Sequence, residues 1–142
     1  MFVGSKVHSI DEKGRVTLPA SMRDLLGDRA YVTKYDGCLA VWTAEKFAEV
    51  AELMEERARN GEISDQVVRS FASSAEVVNL DKAGRVSIAE HLRDYAHLEL
   101  GGEAMVAGRL SRIELWSPAA FDAQVGGAAE AELTRELKTR SV

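Results

Sequence analysis

The sequence predicts an α+β fold in which two copies of one β-rich module share a core. The first observation is a repeat, since residues 11–24 read DEKGRVTLPASMRD and residues 81–94 read DKAGRVSIAEHLRD. The second is that 46% of the 142 residues are hydrophobic, which is typical of a globular chain. The third is size, because half of so short a chain buries too little surface to be stable alone. We therefore expect the copies to pack together as a pseudo-dimer.

The repeat extends well beyond these two stretches. At an offset of seventy, Val7 matches Val77. After a four-residue insertion in the second copy the offset is seventy-four, and residues 31–47 align with residues 105–121. Duplication over this length indicates one structural unit used twice.

Each module is predicted to run strand, tight turn, strand, short helix, hairpin, helix. Residues 5–10 and 75–80 alternate partly and contain β-branched residues, which favours half-buried strands. The turn that follows begins with Asp, which bonds the backbone two residues on, and contains Gly, which adopts a positive φ freely. A short strand returns from each turn. Pro19 is expected to be the first residue of the first short helix, where its missing N–H costs nothing.

Turn and cap signals predict the second half of each module. The dipeptide Asp36-Gly37 indicates a tight hairpin. Thr43 and Ser117 are candidate N-caps of the helices that follow. In the first module a long helix is expected over 44–59, because apolar residues recur there at three- and four-residue steps.

These elements divide the chain into four parts. We expect a first module with its long helix over 1–60, a helical connector over 61–74, a second module over 75–125 and a flexible tail over 126–142. In the connector, Ser64 is a candidate cap of a helix that ends near Ser70. The tail contains good helix formers but almost no large apolar residues, which is typical of a frayed segment.

Composition limits the classes of function. The formal net charge of −5 opposes DNA binding in general, but residues 1–23 hold four basic and two acidic side chains, a local charge of +2. No apolar run approaches the roughly 18 residues that cross a membrane, so no membrane partner is predicted. Nor does the N-terminus resemble a secretory signal. With Cys38 as the single cysteine, neither an internal disulfide nor a cysteine-rich metal site is expected.

The sequence contains no enzyme signature. Its three histidines have no metal-ligand spacing, and neither a nucleophile triad, a phosphate-binding loop nor a dinucleotide fingerprint is found. We therefore expect no catalytic residue, no metal and no cofactor. The acidic residues of 44–59 are interpreted as a solvated helix face.

Several other residues are interpreted as structural. Cys38 is expected to be a small buried residue, and Trp42 and Trp116 to be core or interface anchors. The dipeptide Arg-Asp recurs at 23–24 and 93–94, near the ends of the short helices. We interpret it as a structural pairing.

The repeated Asp-x-x-x-Arg element allows two interpretations. In the first, Asp11 with Arg15, and Asp81 with Arg85, are surface ion pairs that close the turns, and such pairs contribute only about 0–1 kcal/mol. In the second, the turn holds the arginine outward, where its planar fork can bond guanine O6 and N7 or a phosphate. The residue pattern alone slightly favours the first.

The chain resembles the MraZ family of bacterial transcriptional regulators, within the wider AbrB-like group. The resemblance rests on DEKGRVTLP, LDKAGRVSIAEHLRDYAHLE, the MF start and IELWSPAAF, and it runs from Met1 to about Val125. It implies a swapped-hairpin, double-wing barrel of two interlaced modules with flanking helices. It also implies ring-like homo-oligomers and residence in the bacterial cytoplasm, associated with the nucleoid. Finally, it implies binding to short G-rich direct repeats in the promoter of the family's own division and cell-wall operon.

In this family the Asp-x-x-x-Arg element contacts DNA. We expect Arg15 to bond guanine edges while Lys13 and Lys6 hold phosphate. The second turn has Ala83 in place of Lys13, and its basic side chain moves to Lys82. The candidate DNA-binding residues are Lys6, Asp11, Lys13, Arg15, Asp81, Lys82 and Arg85.

Two alternatives stay open. One is an antitoxin-like AbrB module that recognises a toxin through its tail, although the tail has few large apolar residues and internal duplication is unexpected there. The other is a structural oligomer without specific DNA binding, in which the Asp-Arg pairs only close turns. Salt dependence would discriminate, because phosphate binding weakens steeply as salt rises.

Overall fold

The structure is a computed structural model that describes residues 1–140. The first half contains β1 (Ser5–Ser9), β2 (Arg15–Thr17), α1 (Ala20–Leu26), β3 (Arg29–Tyr35), β4 (Cys38–Thr43), α2 (Ala44–Arg59) and α3 (Asp65–Ser74). The second half contains β5 (Glu76–Asn79), β6 (Arg85–Ser87), α4 (Glu90–Ala96), β7 (Glu103–Gly108), β8 (Ile113–Trp116), α5 (Pro118–Gln124) and α6 (Gly127–Thr139). The order strand, strand, helix, hairpin, helix thus occurs twice.

The strands form two antiparallel sheets in which the repeats interlace. The larger sheet has the order β1-β7-β8-β4-β3-β5, while β2 pairs with β6 in a separate two-stranded sheet, here called the ribbon. Each repeat's first strand joins the other repeat's hairpin, since β1 pairs with β7 and β5 with β3. The α+β class is confirmed. Within residues 1–140 the pairing leaves β1 and β5 at the sheet edges, so closure into a swapped-hairpin barrel stays a prediction.

The core lies where the ribbon, the short helices and the larger sheet meet. Val16 and Val86 pair at the centre of the ribbon and are fully buried. They belong to one cluster with fully buried residues of the larger sheet, which include Val32, Val41, Val106, Ile113 and Leu115. Burial of one such side chain contributes on the order of 1.5–3 kcal/mol. The two repeats therefore share a single core.

The turn and cap predictions for the hairpin and helix starts are confirmed. Asp36 and Gly37 join β3 to β4 with φ values of 50° and 86°, as a tight hairpin turn with two positive φ angles requires. Thr43, Ser64 and Ser117 each accept a hydrogen bond from the backbone N–H three residues on, at 3.0, 3.4 and 3.3 Å. The long helix has the predicted bounds.

Two helix bounds differ from the prediction. Pro19 is the N-cap of α1 rather than its first residue, because its ψ of 144° is extended, and α1 begins at Ala20. Helix α3 continues past Ser70 to Ser74. The ring of Phe71 in this extension stacks on an aromatic ring of α2 at 5.4 Å, and this packing favours the longer helix.

The helices differ in how much of their surface is buried. Helices α1 and α4 each bury two residues, whereas every side chain of α6 is exposed. The flexibility predicted for the tail stays a prediction, and Ser141 and Val142 lie outside the described residues. Among the helices of residues 1–140, none combines the length and apolarity that a membrane span needs.

Candidate nucleic-acid interface

The two Asp-x-x-x-Arg elements meet at the ribbon. Arg15 pairs with Ser87 and Arg85 pairs with Thr17. Directly paired residues, and residues two apart on one strand, share a face of a sheet. These four side chains therefore lie on one face, opposite the two valines of the core. Because both valines are fully buried, the face with the arginines is the outer one.

Turn 1 (residues 11–15) is organised by its aspartate. Oδ1 of Asp11 accepts the backbone N–H groups of Lys13 and Arg15 at 2.9 and 2.8 Å, and Oδ2 accepts Nε of Arg15 at 2.6 Å. Gly14 completes the turn with a φ of 78° and donates its N–H to the Asp11 carbonyl at 3.0 Å. One carboxylate thus fixes both the backbone and the direction of the arginine.

Turn 2 (residues 81–85) repeats this geometry. Asp81 accepts the backbone N–H groups of Ala83 and Arg85 at 3.0 and 2.9 Å, and Nε of Arg85 at 2.7 Å. Each of the three distances differs from its counterpart in turn 1 by 0.1 Å. Gly84 takes a φ of 75°. The sequence repeat is therefore also a repeat of side-chain hydrogen bonds.

Within the described part of the chain, the guanidinium groups of Arg15 and Arg85 are bonded to the turns only through Nε. Each aspartate binds Nε, and within residues 1–140 neither Arg15 nor Arg85 has a hydrogen-bond partner at its two terminal Nη atoms. The arginine side chains are 28% and 33% exposed. A role limited to closing the turn accounts for the bond at Nε. It does not account for the Nη groups, which can bond a base or a phosphate.

Both aspartates are held in their charged form. The pKa of Asp11 is lowered to about 2, chiefly because the backbone N–H of Arg15 donates to its carboxylate. The bond from the guanidinium and that from the N–H of Lys13 add to this effect. The pKa of Asp81 is also lowered, again chiefly by the backbone N–H of its arginine, Arg85. At neutral pH both carboxylates therefore remain acceptors for their turns.

The predicted lysines have different positions. Lys13 and Lys82 are exposed in turns 1 and 2, where each borders a shallow cleft. Lys6 is exposed on β1 and lines another cleft, together with Pro19 and Met22. The structure thus brings the predicted residues together in the two turns, except for Lys6. The structure does not test whether these residues bind DNA, so this role stays a prediction.

Two arginines that the sequence analysis assigned only to structural pairing, Arg23 and Arg93, border the turns. Nη1 of Arg23 donates to the carbonyl of Ala83 at 3.1 Å, and Nη1 of Arg93 donates to the carbonyl of Ile88. The structural interpretation of the Arg-Asp dipeptides is supported. However, the partners are backbone carbonyls, and within residues 1–140 neither arginine forms an ion pair with the aspartate beside it. Their recurrence at one position in both repeats is visible in the sequence, but their contacts with the turns are not.

The residues interpreted as core anchors are buried. Cys38 is fully buried, and burial raises the pKa of its thiol to about 12, so the thiol is neutral at physiological pH. The indole N–H of Trp42 donates to the hydroxyl of Thr33 at 2.9 Å. That of Trp116 donates to a carboxylate oxygen at 3.1 Å. These interpretations are confirmed.

A buried ion pair in β8 and the hairpin before it was not predicted. Arg112 donates through Nε and Nη2 to Oε2 of Glu114 at 2.9 and 2.8 Å, and both residues are 8% exposed. The guanidinium of Arg112 also lies 4.0 Å from the ring centre of Tyr35. In the first repeat the counterparts of this pair are Cys38 and Ala40, so the sheet face is apolar in one repeat and ionic in the other.

The chain is similar to known proteins over most of its length. A family model described as "MraZ protein, putative antitoxin-like" matches residues 1–66 and 71–141. The protein called transcriptional regulator MraZ from Desulforamulus reducens is 39% identical over 123 residues, which cover 86% of this chain and 85% of that one. Proteins of the same name from Alkaliphilus metalliredigens and Roseiflexus castenholzii are 38% and 36% identical. Their alignments cover 82% and 83% of this chain, and 81% and 82% of theirs.

Proposed function

The chain belongs to the MraZ protein family, and on this basis we propose that it is a transcriptional regulator, not an enzyme, that binds double-stranded DNA through the outer face of the ribbon. One observation carries the proposal. Two arginines, each fixed at Nε by an aspartate, lie on the outer face of the ribbon, and within residues 1–140 their Nη groups have no hydrogen-bond partner. Several relatives carry the name transcriptional regulator.

The dimensions of the ribbon support a docking in the major groove. This groove is about 12 Å wide and admits a two-stranded β-ribbon. Arg15 and Arg85 are separated by two residues along a strand and by one strand spacing. Their Cα atoms are therefore about 8 Å apart. At a rise of about 3.4 Å per base pair, the two guanidinium groups reach bases two to three steps apart.

Each predicted residue then has a distinct role. Arg15 and Arg85 bond the O6 and N7 atoms of guanines, which suits G-rich repeats. Lys13, Lys82 and Lys6 bind phosphates, and these contacts position the protein without selecting a sequence. Asp11 and Asp81 do not touch DNA, because their charge repels phosphate. They orient the arginines.

The distribution of charge over the fold supports this orientation. Val32 on β3 packs in the core beneath the ribbon, whereas its neighbour Tyr31 stacks on Phe47 of α2 at 4.2 Å. Successive residues of a strand point to opposite faces of the sheet. Helix α2 therefore lies on the sheet face away from the ribbon. Its acidic residues Glu45, Glu49, Glu52, Glu55 and Glu56 are thus kept apart from the DNA.

The assembly proposed here increases the affinity of a weak contact. A chain with a net charge of −5 and one small basic face binds DNA weakly as a single copy. A ring-like homo-oligomer presents several ribbons to tandem repeats, so the later contacts form at high effective concentration. We propose that the repeats are G-rich direct repeats in the promoter of the chain's own division and cell-wall operon. We place the protein in the cytoplasm, associated with the nucleoid.

The interlaced pairing supports the swapped-hairpin, double-wing arrangement as the form of the fold. In it, modules over 1–60 and 75–125 exchange their first strands, and residues 61–74 connect them. The exchange of β1 and β5 between the hairpins is the feature that favours this description.

A binding titration tests the proposed function. Wild type, Arg15→Ala and Arg85→Ala are titrated, at two salt concentrations, with the DNA that precedes the gene of this chain and with scrambled DNA of equal length. Each good bidentate contact is worth about 1–3 kcal/mol, so each variant should lose roughly five- to 150-fold in affinity for the promoter DNA. Arg59→Ala is the matched control, since Arg59 is an exposed arginine of α2. Equal binding by wild type and both ribbon variants would contradict the proposal.

The same experiment separates the alternatives. A structural oligomer should show neither sequence preference nor the steep loss of affinity with salt that phosphate contacts cause. An antitoxin-like module, which the description of the matching family model also names, should retain one stoichiometric small protein partner in a pull-down. Either result would replace the promoter-binding function.

A further inference from the structure

Arg23 and Arg93 each contact the turn that belongs to the other repeat. From this we propose that they are positioning residues: Arg93 of α4 holds turn 1, and Arg23 of α1 holds turn 2. The inference rests on the proposed function, because it assigns a role in DNA binding to residues that need not touch DNA. It concerns the crossed arrangement, in which each DNA-binding arginine depends on the opposite repeat.

The two turn glycines leave the space that these arginine side chains occupy. Both Gly14 and Gly84 are buried and take a positive φ. A Cβ atom on Gly14 would collide with the guanidinium of Arg93, and one on Gly84 would collide with the side chain of Arg23. Each arginine therefore lies directly against the peptide that precedes Arg15 or Arg85.

Hydrogen bonds between the repeats flank both turns, but among the described residues only at turn 2 does the arginine itself bond across the repeats. Around turn 2, Arg23 donates to the carbonyl of Ala83 at 3.1 Å, and the N–H of Leu18 donates to the carbonyl of Gly84 at 3.0 Å. Around turn 1, Arg93 donates to the carbonyl of Ile88, whose N–H donates to the carbonyl of Gly14 at 2.9 Å. The backbone of each turn is thus bonded to the end of the opposite strand. Arg23 also bonds turn 2, whereas Arg93 contacts turn 1 by packing against Gly14.

The chemistry of Arg23 indicates a role beyond packing. Its Nε is buried and, within residues 1–140, has no hydrogen-bond partner. Such a group costs free energy, so an apolar residue would stabilise the fold better. A planar cation suits the space beside Gly84 for another reason. It lies flat against glycine, donates to the turn and adds positive charge beside the ribbon. A binding group must be held to within about 0.5 Å for productive contact, and contacts that fix the turn contribute to this.

Nitrogen-15 NMR of the full chain, without DNA, tests the crossed dependence directly. The Nε–H signals of Arg15 and Arg85 report their bonds to the aspartates, and the amides of Gly14 and Gly84 report the turns. Arg93→Ala should shift or broaden the signals of turn 1 and leave those of turn 2, while Arg23→Ala should do the reverse. Arg59→Ala should move neither set. The proposal would be overturned if each variant disturbed both turns equally. It would also be overturned if each variant disturbed the turn of its own repeat.

Lysine variants keep the test valid if an alanine variant does not fold. Arg93→Lys and Arg23→Lys retain the charge and one donor group, but the side chain cannot lie flat over the glycine. They should give the same crossed pattern at reduced size. Signals that are unchanged in both folded lysine variants would overturn the proposal.

Titration with the promoter DNA separates positioning from direct contact. Arg93→Ala should weaken binding about tenfold in the wild-type background but have little further effect when Arg15→Ala is already present, because the two residues act as a unit. A residue that bound phosphate itself would weaken binding in both backgrounds and reduce the salt slope by about one, and that result would overturn the proposal. If wild type does not prefer the promoter DNA, the proposed function fails, while the NMR pattern still decides the crossed dependence.

Discussion

At the scale of single residues, aspartate is an unexpected member of the proposed DNA-binding surface, because its charge repels phosphate. In turns 1 and 2 the conflict is resolved by hydrogen bonding. Both oxygens of Asp11 are occupied by its own turn, through two backbone N–H groups and the Nε of Arg15. The carboxylate therefore bonds the Nε of Arg15 and leaves its two Nη groups for the proposed contact with DNA.

The depressed pKa of Asp11 leads to a prediction for stability at low pH. Its value in the folded chain is about 2, against an ordinary 3.8, so the charged carboxylate stabilises the folded state above about pH 4. This contribution is lost as the pH falls through the folded value. In the Asp11→Asn variant, the decline in the free energy of unfolding between about pH 4 and pH 2 should be shallower than in wild type. Urea unfolding at a series of pH values measures this decline in the free energy of unfolding.

The control for this prediction is Asp122→Asn, since Asp122 is an exposed aspartate of α5. Its decline with pH should match that of wild type. The prediction is wrong if Asp11→Asn and Asp122→Asn give the same slope, because the turn would then not depend on the charge of Asp11.

The turn glycines give a second prediction. Gly14→Ala should lower the free energy of unfolding by more than the roughly 1–2 kcal/mol that a positive φ costs an L residue, because the added Cβ also displaces Arg93. Gly61→Ala is the matched control. Gly61 has a similar φ of 72°, but a Cβ there meets nothing within 4 Å. Denaturant unfolding compares the two, and equal losses would show that the contact with Arg93 contributes nothing.

At the scale of elements, the two short helices end differently although they are repeats. Helix α1 is followed by Gly27, while α4 is followed by His97, which takes the left-handed conformation with a φ of 57°. A histidine there is strained, because its Cβ crowds the backbone. The second repeat therefore contains a strained residue, His97, that is exposed and lies outside the ribbon. A substitution there can relieve the strain.

This difference predicts a stabilising substitution. His97→Gly should raise the free energy of unfolding by about 0.5–1 kcal/mol, since relief of the left-handed strain exceeds the entropy that glycine adds to the unfolded chain. His97→Ala keeps the Cβ and should bring no gain. Thermal or urea unfolding tests both variants. Equal stability of the glycine and alanine variants would show that the C-cap is not strained.

Elements with local signals were predictable from the sequence. The long helix, the Asp36-Gly37 hairpin and three serine or threonine caps follow from residues within one or two turns of each other. The strand pairing did not follow, because β2 and β6 meet across seventy residues and no local pattern selects their partner. The same holds for Arg23 and Arg93, whose partners are backbone carbonyls that sequence patterns do not reveal.

At the scale of the whole molecule, interlacing makes the proposed DNA-binding face a property of both repeats. The ribbon takes one strand from each, its valines occupy the common core, and each turn is held from the opposite side. A change at Arg23 or Arg93 in one repeat is therefore expected to reach the turn of the other repeat. This explains why the element is present twice: one copy alone provides only half of the ribbon.

The proposed assembly gives the last prediction, which concerns the number of DNA repeats. Fluorescence anisotropy with duplexes that carry one, two or three copies of the bound repeat should show an affinity that rises much faster than the number of sites, because the second contact is intramolecular. Lys13→Gln should weaken binding to specific and scrambled DNA alike and reduce the salt slope by about one per bound copy. Arg15→Ala should instead lower the preference for the specific sequence. An affinity proportional to the number of sites would exclude multivalent binding, and a chain that sediments as a monomer would exclude the ring from which it is expected.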